Sequence, residues 1–167
     1  MIKNKNQKGF SLIELLIVVA IIGIIAAMAI PNLLASKRAA NEGSAQSSMR
    51  TIHTAEVTYQ ATAGNGGWGT LAQLQTANMV DAVLGSGSKS GYNFSLPAAN
   101  ITTGSSQTYF ATATPANTLN ITRTGHRNFA IADDGILRGN VGDTAAASRT
   151  AVVGTGTAGT GMSPLGN

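Results

Sequence analysis

The 167-residue chain contains no cysteine, so a disulfide framework, a thiolate metal site and a cysteine nucleophile are all excluded. Histidine is nearly absent too: only His53 and His126 occur, and no third metal ligand is evident beside either. His53 and Glu56 stand at i, i+3 on a predicted helix and are read as a surface pair. There is no glycine-rich phosphate loop, no nucleophile elbow and no internal repeat. Aromatics make up 5% of the chain, and Trp68, Tyr92, Phe94 and Tyr109 are assigned to a core or a subunit interface rather than to base stacking. Nothing here assembles a catalytic constellation, and no cofactor is expected.

Acid is also scarce, with 11 Lys and Arg against 7 Asp and Glu and a pI near 9.8. The excess is local. Lys3, Lys5 and Lys8 all precede Phe10, and without them eight basic side chains face seven acidic ones. The basic pI is therefore no argument for nucleic-acid binding; it marks a short positive stretch ahead of a hydrophobic one, the order of a membrane-targeting segment.

What the chain has in abundance is apolar sequence at its start. Phe10 to Ile30 are 21 residues with one charge, Glu14. At ~1.5 Å per residue they form a helix about 30 Å long, the thickness of a bilayer core. A carboxylate in such a span costs ~2.5–3.5 kcal/mol on insertion scales, so Glu14 calls for a partner. Three readings compete. A cleaved secretory signal would use Ala27, Met28 and Ala29 as its small-x-small site, cutting before Ile30. An uncleaved single-pass anchor leaves Glu14 unexplained. The third reading depends on the residues around Gly9.

The stretch KGFSLIELL, residues 8–16, resembles the leader and cleavage motif of type IV prepilins and of the pseudopilins of type II secretion. Gly9, Phe10 and Glu14 fall on the family's motif positions, and Gly23 and Pro31 continue the match. The resemblance implies that a prepilin peptidase cuts after Gly9 on the cytoplasmic side and N-methylates Phe10. It also implies that Glu14 pairs with the Phe10 amine of a neighbouring subunit and sets axial register. The apolar residues Leu12 to Ile30 would form the filament core. Gly23 and Pro31 bracket a stretch that is either partly unwound in a fibre or kinked but continuous. The implied partners are further copies of the chain in a helical homopolymer, the peptidase, the inner-membrane assembly platform with its ATPase, and the membrane before assembly. The implied location is the bacterial inner membrane for the single-pass precursor and the cell exterior for the filament.

Beyond Pro31 the helix is predicted to run to about residue 62, where AGNGG stops it. Ala45, Met49, Ile52 and Tyr59 form one apolar stripe on which a sheet should dock, while Lys37, Arg38, Asn41, Ser48 and Thr51 occupy mostly other faces. TLAQLQTANMVDAVLG reads as one short helix with a Thr70–Gln73 capping box and apolar Leu71, Leu74 and Val83. YNFSL at 92–96 and TYFATAT at 108–114 read as strands. RNFAIADDGILRG reads as two strands about a turn at Asp133, Asp134 and Gly135, and its Asp-Gly, Ile136, Leu137 and Arg138 resemble a stretch common in pilin heads. Asp133, Asp134 and Asp143 are weak calcium candidates, by resemblance to some pseudopilin heads, and are otherwise turn formers. The segment from Gly142 onward could be an ordered loop, a tail or a hydroxyl-rich glycosylated surface, and its composition favours a mobile segment.

The expected fold is α+β: a long N-terminal α-helix, about 10–62 with its first half hydrophobic, packed on a small antiparallel β-sheet head, as in the type IV pilin fold. The expected division is a leader 1–9, a transmembrane or filament-core helix 10–31, its amphipathic continuation 32–62, a head 63–141 and a Gly/Thr/Ala-rich segment 142–167. The expected function is a structural subunit of an extracellular filament. The alternatives are a pseudopilin of type II secretion and, from another class, a secreted or membrane-anchored enzyme.

Overall fold

The computed structural model describes residues 9–97, 108–119, 121–142, 146, 148–153 and 162–165. The chain divides into two compact units, one ending at Ser36 and one beginning at Lys37. Helix α1, Leu12–Ala61, is 50 residues long and carries Pro31 in its interior. Proline offers no N–H to the carbonyl four residues back. One position on, the Asn32 side chain donates to the Met28 carbonyl at 3.2 Å, and the Ser36 hydroxyl donates to the Asn32 carbonyl at 3.0 Å. The first half of α1 is long and apolar enough to cross a membrane. It is solvent-exposed throughout except at Ala26 and Leu34, which are half-buried.

In the second unit, α1 buries Ala45, Met49, Ile52 and Ala55 in one core, and Tyr59 is half-buried against it. Ser48 also lies on this buried face, where the sequence pattern placed it elsewhere. The helix stops after Ala61, as the glycine run requires. Gly64 N–H returns to the Tyr59 carbonyl at 2.7 Å, and a Cβ at Gly64 would sit 2.2 Å from the Gly67 carbonyl oxygen.

The capping box forms as read: the Thr70 hydroxyl accepts from Gln73 N–H and the Gln73 side chain accepts from Thr70 N–H. The expected single helix is nevertheless two, α2 (Leu71–Thr76) and α3 (Ala82–Gly85). Asn78 takes a left-handed φ of 54° between them, and Asp81 starts the second by accepting from Leu84 N–H at 3.2 Å. Splitting the helix turns Leu84 into the core and leaves Val83 exposed.

The sheet is a six-stranded antiparallel meander: β1 (Ser88–Lys89), β2 (Tyr92–Ser95), β3 (Phe110–Pro115), β4 (Arg127–Ala132), β5 (Arg138–Val141) and β6 (Ser163–Pro164). β2, β3, β4 and β5 lie where strands were expected, and β1 and β6 are short additions at the edges. Side chains alternate between faces along a strand. Tyr92, Phe94, Ala111, Ala113, Phe129 and Ile131 meet α1, while Phe110, Ala130 and Ala132 point the other way.

That second face corrects the expectation for the C-terminal segment. Helix α4 (Arg149–Val153) places Val152 fully buried on Phe110, Ala130 and Ala132, and Met162 joins the same cluster. The described residues of this segment are thus ordered by two apolar anchors, which composition averaged over many small residues does not register. Val152→Asp is expected to leave an unpaired carboxylate in this cluster at a cost above about 2 kcal/mol. Amide exchange would then lose its protection across Arg149–Val153 while β3 and β4 kept theirs.

Candidate assembly segment and the polar cluster of the head

Gly9 and Phe10 precede the helix and are exposed, Phe10 at 84%. A side chain at Gly9 or Gly23 would meet nothing within 4 Å. Glu14 lies in the first turn of α1, where its Oε2 accepts the Ser11 N–H at 3.0 Å. Ser11 and Glu14 therefore have the S-x-x-E spacing of a capping box, with the reach of the third helical residue back to the cap position. This local partner was missed in the sequence, although the spacing alone suffices to find it. Phe10, Glu14, Gly23 and Pro31 all lie along an apolar segment whose large side chains, Leu12, Ile17 and Ile24 among them, are exposed.

The aspartates offered as calcium candidates are engaged by guanidinium groups. Arg138 Nη2 and Nη1 donate to Asp134 Oδ2 and Oδ1 at 2.6 and 3.1 Å, and Arg149 Nε and Nη2 donate to Asp133 at 2.5 and 2.9 Å. Such forked pairs occupy the oxygens a cation would use. Asp134 is held below the ordinary carboxylate value: burial opposes this, and the Arg138 bond, the Ile136 N–H and the charges of Arg138 and Arg149 outweigh it. Asp143 lies outside the described residues. Among the described residues, no three His, Asp or Glu side chains gather as a metal site.

Residues 4–30 match the family model of the prokaryotic N-terminal methylation motif. By this segment the chain is similar to type IV pilins and to a type II secretion pseudopilin. It is 43% identical over 56 residues to the type IV major pilin protein PilA of Myxococcus xanthus, covering 34% of this chain and 26% of that one. It is 66% identical over 38 residues to the type IV wide pilus major component PilA4 of Thermus thermophilus, covering 23% and 29%. It is 34% identical over 53 residues to the type II secretion system core protein G of Aeromonas hydrophila, covering 32% and 37%. The chain thus spans about a quarter to a third of the length of these relatives. No solved structure matches it.

The head holds one polar cluster that sequence spacing misjudged. Glu56, read as half of a surface pair with His53, is fully buried. Its Oε2 accepts the Gly69 N–H at 2.9 Å, fastening the chain after α1 back onto the helix. His53 Nδ1 instead shares a hydrogen bond with the Tyr109 hydroxyl, and the Tyr109 ring tilts against Trp68 at 4.6 Å between centroids. Burial drives the Glu56 carboxyl up to about 7 from 4.5, against the opposing Gly69 N–H. Burial also lowers His53, against the pull of Asp134 and Asp133.

The two groups shape stability in opposite directions. Between pH 4.5 and about 7 the folded state keeps the Glu56 proton that the unfolded state has lost, so stability falls as pH rises through that window. The loss amounts to about 3 kcal/mol once Glu56 is ionised in both states. His53 acts below its ordinary 6.5, where the unfolded chain takes up a proton first and stability falls as pH drops. Urea titrations of the detergent-solubilised chain across this range should show the alkaline decline, and Glu56→Gln should remove it while the acidic decline stays. A variant as pH-sensitive as the parent would show that Glu56 is not its source.

Proposed function

We propose that the chain is a structural subunit that polymerises through the first half of α1 into an extracellular type IV pilus-like filament. The observation that carries this reading is an exposed apolar helix segment with a single carboxylate in its first turn. Such a surface is stable only in lipid or against other apolar helices. In this scheme a prepilin peptidase cuts between Gly9 and Phe10 and methylates the new amine, leaving the helix in the inner membrane. The assembly platform and its ATPase then move the subunit from bilayer to fibre. Ala45, Met49, Ile52 and Tyr59 hold the head to the helix that is built into the fibre.

The N-terminal peptide of protein taken from sheared surface fibres tests the processing step by mass. It is expected to begin at Phe10 with one added methyl group. A peptide beginning at Ile30 would make the helix a discarded signal and end the structural reading.

Similarity to core protein G supports a second reading, a pseudopilin of a secretion machine. The two arginine-held aspartates favour the pilus, because they leave the head little use for calcium. The melting temperature of the head is accordingly expected to be the same with calcium and with a chelator. A large calcium-dependent rise would move the assignment to the pseudopilin.

A further inference from the structure

The loop joining β3 to β4 holds two large apolar side chains in water. Asn117 and Thr124 close it: Thr124 N–H donates to the Asn117 carbonyl at 3.0 Å, and Asn117 N–H donates to the Thr124 hydroxyl at 3.2 Å. The Asn117 side chain also accepts Leu119 N–H and donates to the Thr122 hydroxyl, both at 2.9 Å. Leu119 and Ile121 nevertheless remain 72% and 76% exposed. Single exposed apolar residues are ordinary, but two on one fastened loop make a patch.

The same loop is tied to the first turns of the second unit's helix, and the ties gather cations. Arg38 Nε donates to the Arg123 carbonyl at 3.2 Å, and the Asn41 side chain donates to the Thr124 carbonyl at 2.9 Å. Arg38 Nη1 and Arg123 Nη1 each lie 3.3 Å from a ring nitrogen of His126, whose backbone N–H donates to Glu42 at 2.7 Å. Lys37 and Arg127, next in sequence to Arg38 and His126, are exposed. Four of the eight Lys and Arg that follow the leader thus lie at this corner, with Glu42 the carboxylate bonded there. Three of the others, Lys89, Arg138 and Arg149, are each held by an aspartate elsewhere. Lys37 follows the end of the apolar run at Ile30 by seven residues, which reach at most about 25 Å in any conformation.

We propose that this corner, Lys37, Arg38, Arg123 and Arg127 with Leu119 and Ile121, is a docking surface for the anionic headgroups of the bilayer that holds the apolar segment. The inference rests on the membrane-anchored precursor of the preceding reading. Cations near such a surface meet headgroup phosphates, and apolar tips enter the boundary with the acyl chains. Duplex DNA would satisfy the cations but leave Leu119 and Ile121 without a role. Docking of this kind would hold the head against the membrane until extraction, and lipid charge would set how readily a subunit leaves.

The absence of cysteine makes the full chain easy to label at one position. Leu119→Cys, Val83→Cys and Ala20→Cys, each carrying an environment-sensitive fluorophore, would be reconstituted into phosphatidylcholine vesicles with and without phosphatidylglycerol and read with nitroxide lipids. The label at position 20 should be quenched in every vesicle. The label at position 119 should be quenched in anionic vesicles, more weakly in neutral ones or in high salt, and the exposed position 83 label should not respond. In the Leu119→Cys background, Lys37→Ser and Arg127→Gln should each lower the docked-to-free ratio about fivefold. If position 20 responds and position 119 behaves like position 83, the docking surface is refuted while the membrane reading stands. If position 20 is not quenched, the membrane reading fails and the inference with it. Protection of position 119 by duplex DNA without vesicles, and not by anionic lipid, would assign the corner to nucleic acid instead.

Discussion

Phe129→Ala is expected to unfold most of the head. Phe129 is fully buried in the central strand β4, opposite Ala113 of β3 and Gly139 of β5, and its ring lies 5.8 Å from that of Tyr92. Its cross-strand partners on either side are an alanine and a glycine, neither large enough to fill the space it leaves. Truncating a buried phenylalanine costs about 3–5 kcal/mol, which is comparable with the whole stability of many domains. The melting temperature should fall by at least about 10 °C. Phe110→Ala is the comparison, since Phe110 lies on the opposite face beside Val152 and Met162. It should loosen the C-terminal segment and lower the melting temperature less. Equal losses in the two variants would mean that the two faces do not form separable cores.

Glu14→Gln and Glu14→Ala are both expected to abolish fibres while leaving the head as stable as before. The pair matters because Glu14 has two possible partners. Within the chain its carboxylate accepts the Ser11 N–H at 3.0 Å, a cap that glutamine reproduces and alanine does not. Between chains, on the proposed function, it neutralises the amine of Phe10, which needs the negative charge. A buried amine without its counter-charge costs several kcal/mol at each of many repeated interfaces. Surface fibre yield is the measurement, with the amount of processed subunit in the membrane as control. Normal fibres from Glu14→Gln but not from Glu14→Ala would make Glu14 a helix cap and remove its role in register.

The legible part of this protein was the part governed by neighbours in sequence. The apolar run, the single Glu14 and the Thr70–Gln73 capping box are contiguous or separated by three or four residues, so helix geometry alone relates them. β2 was legible for the same reason, since Tyr92 and Phe94 alternate with Asn93 and Ser95 into buried and exposed positions. The Asp133–Asp134–Gly135 turn was marked by glycine, which there takes a φ of 71° with its N–H on the Ala132 carbonyl at 2.9 Å.

Where partners came from distant chain, local pattern misled. Asn78 and Asp81 divided a stretch whose apolar spacing reads as one helix, and the division followed which of Val83 and Leu84 the core could take. Asp133 and Asp134 read as turn formers and only weakly as cation ligands, and local pattern gave no sign that Arg149 and Arg138 would be brought to them.

The sequence by itself determined that this chain enters the α+β architecture through one long helix, and that the first half of that helix is an unbroken apolar surface. Both follow from periodicity and from one charge in 21 residues. Tertiary structure alone decided that Glu56 is buried on the Gly69 N–H, since a carboxylate at i+3 from a histidine looks the same on a wet face as on a dry one. It also decided that the described residues of the C-terminal segment are anchored. Val152 and Met162 are too few to signal order in a run of small residues, and they acquire it only because β3 and β4 leave Phe110, Ala130 and Ala132 facing away from the helix.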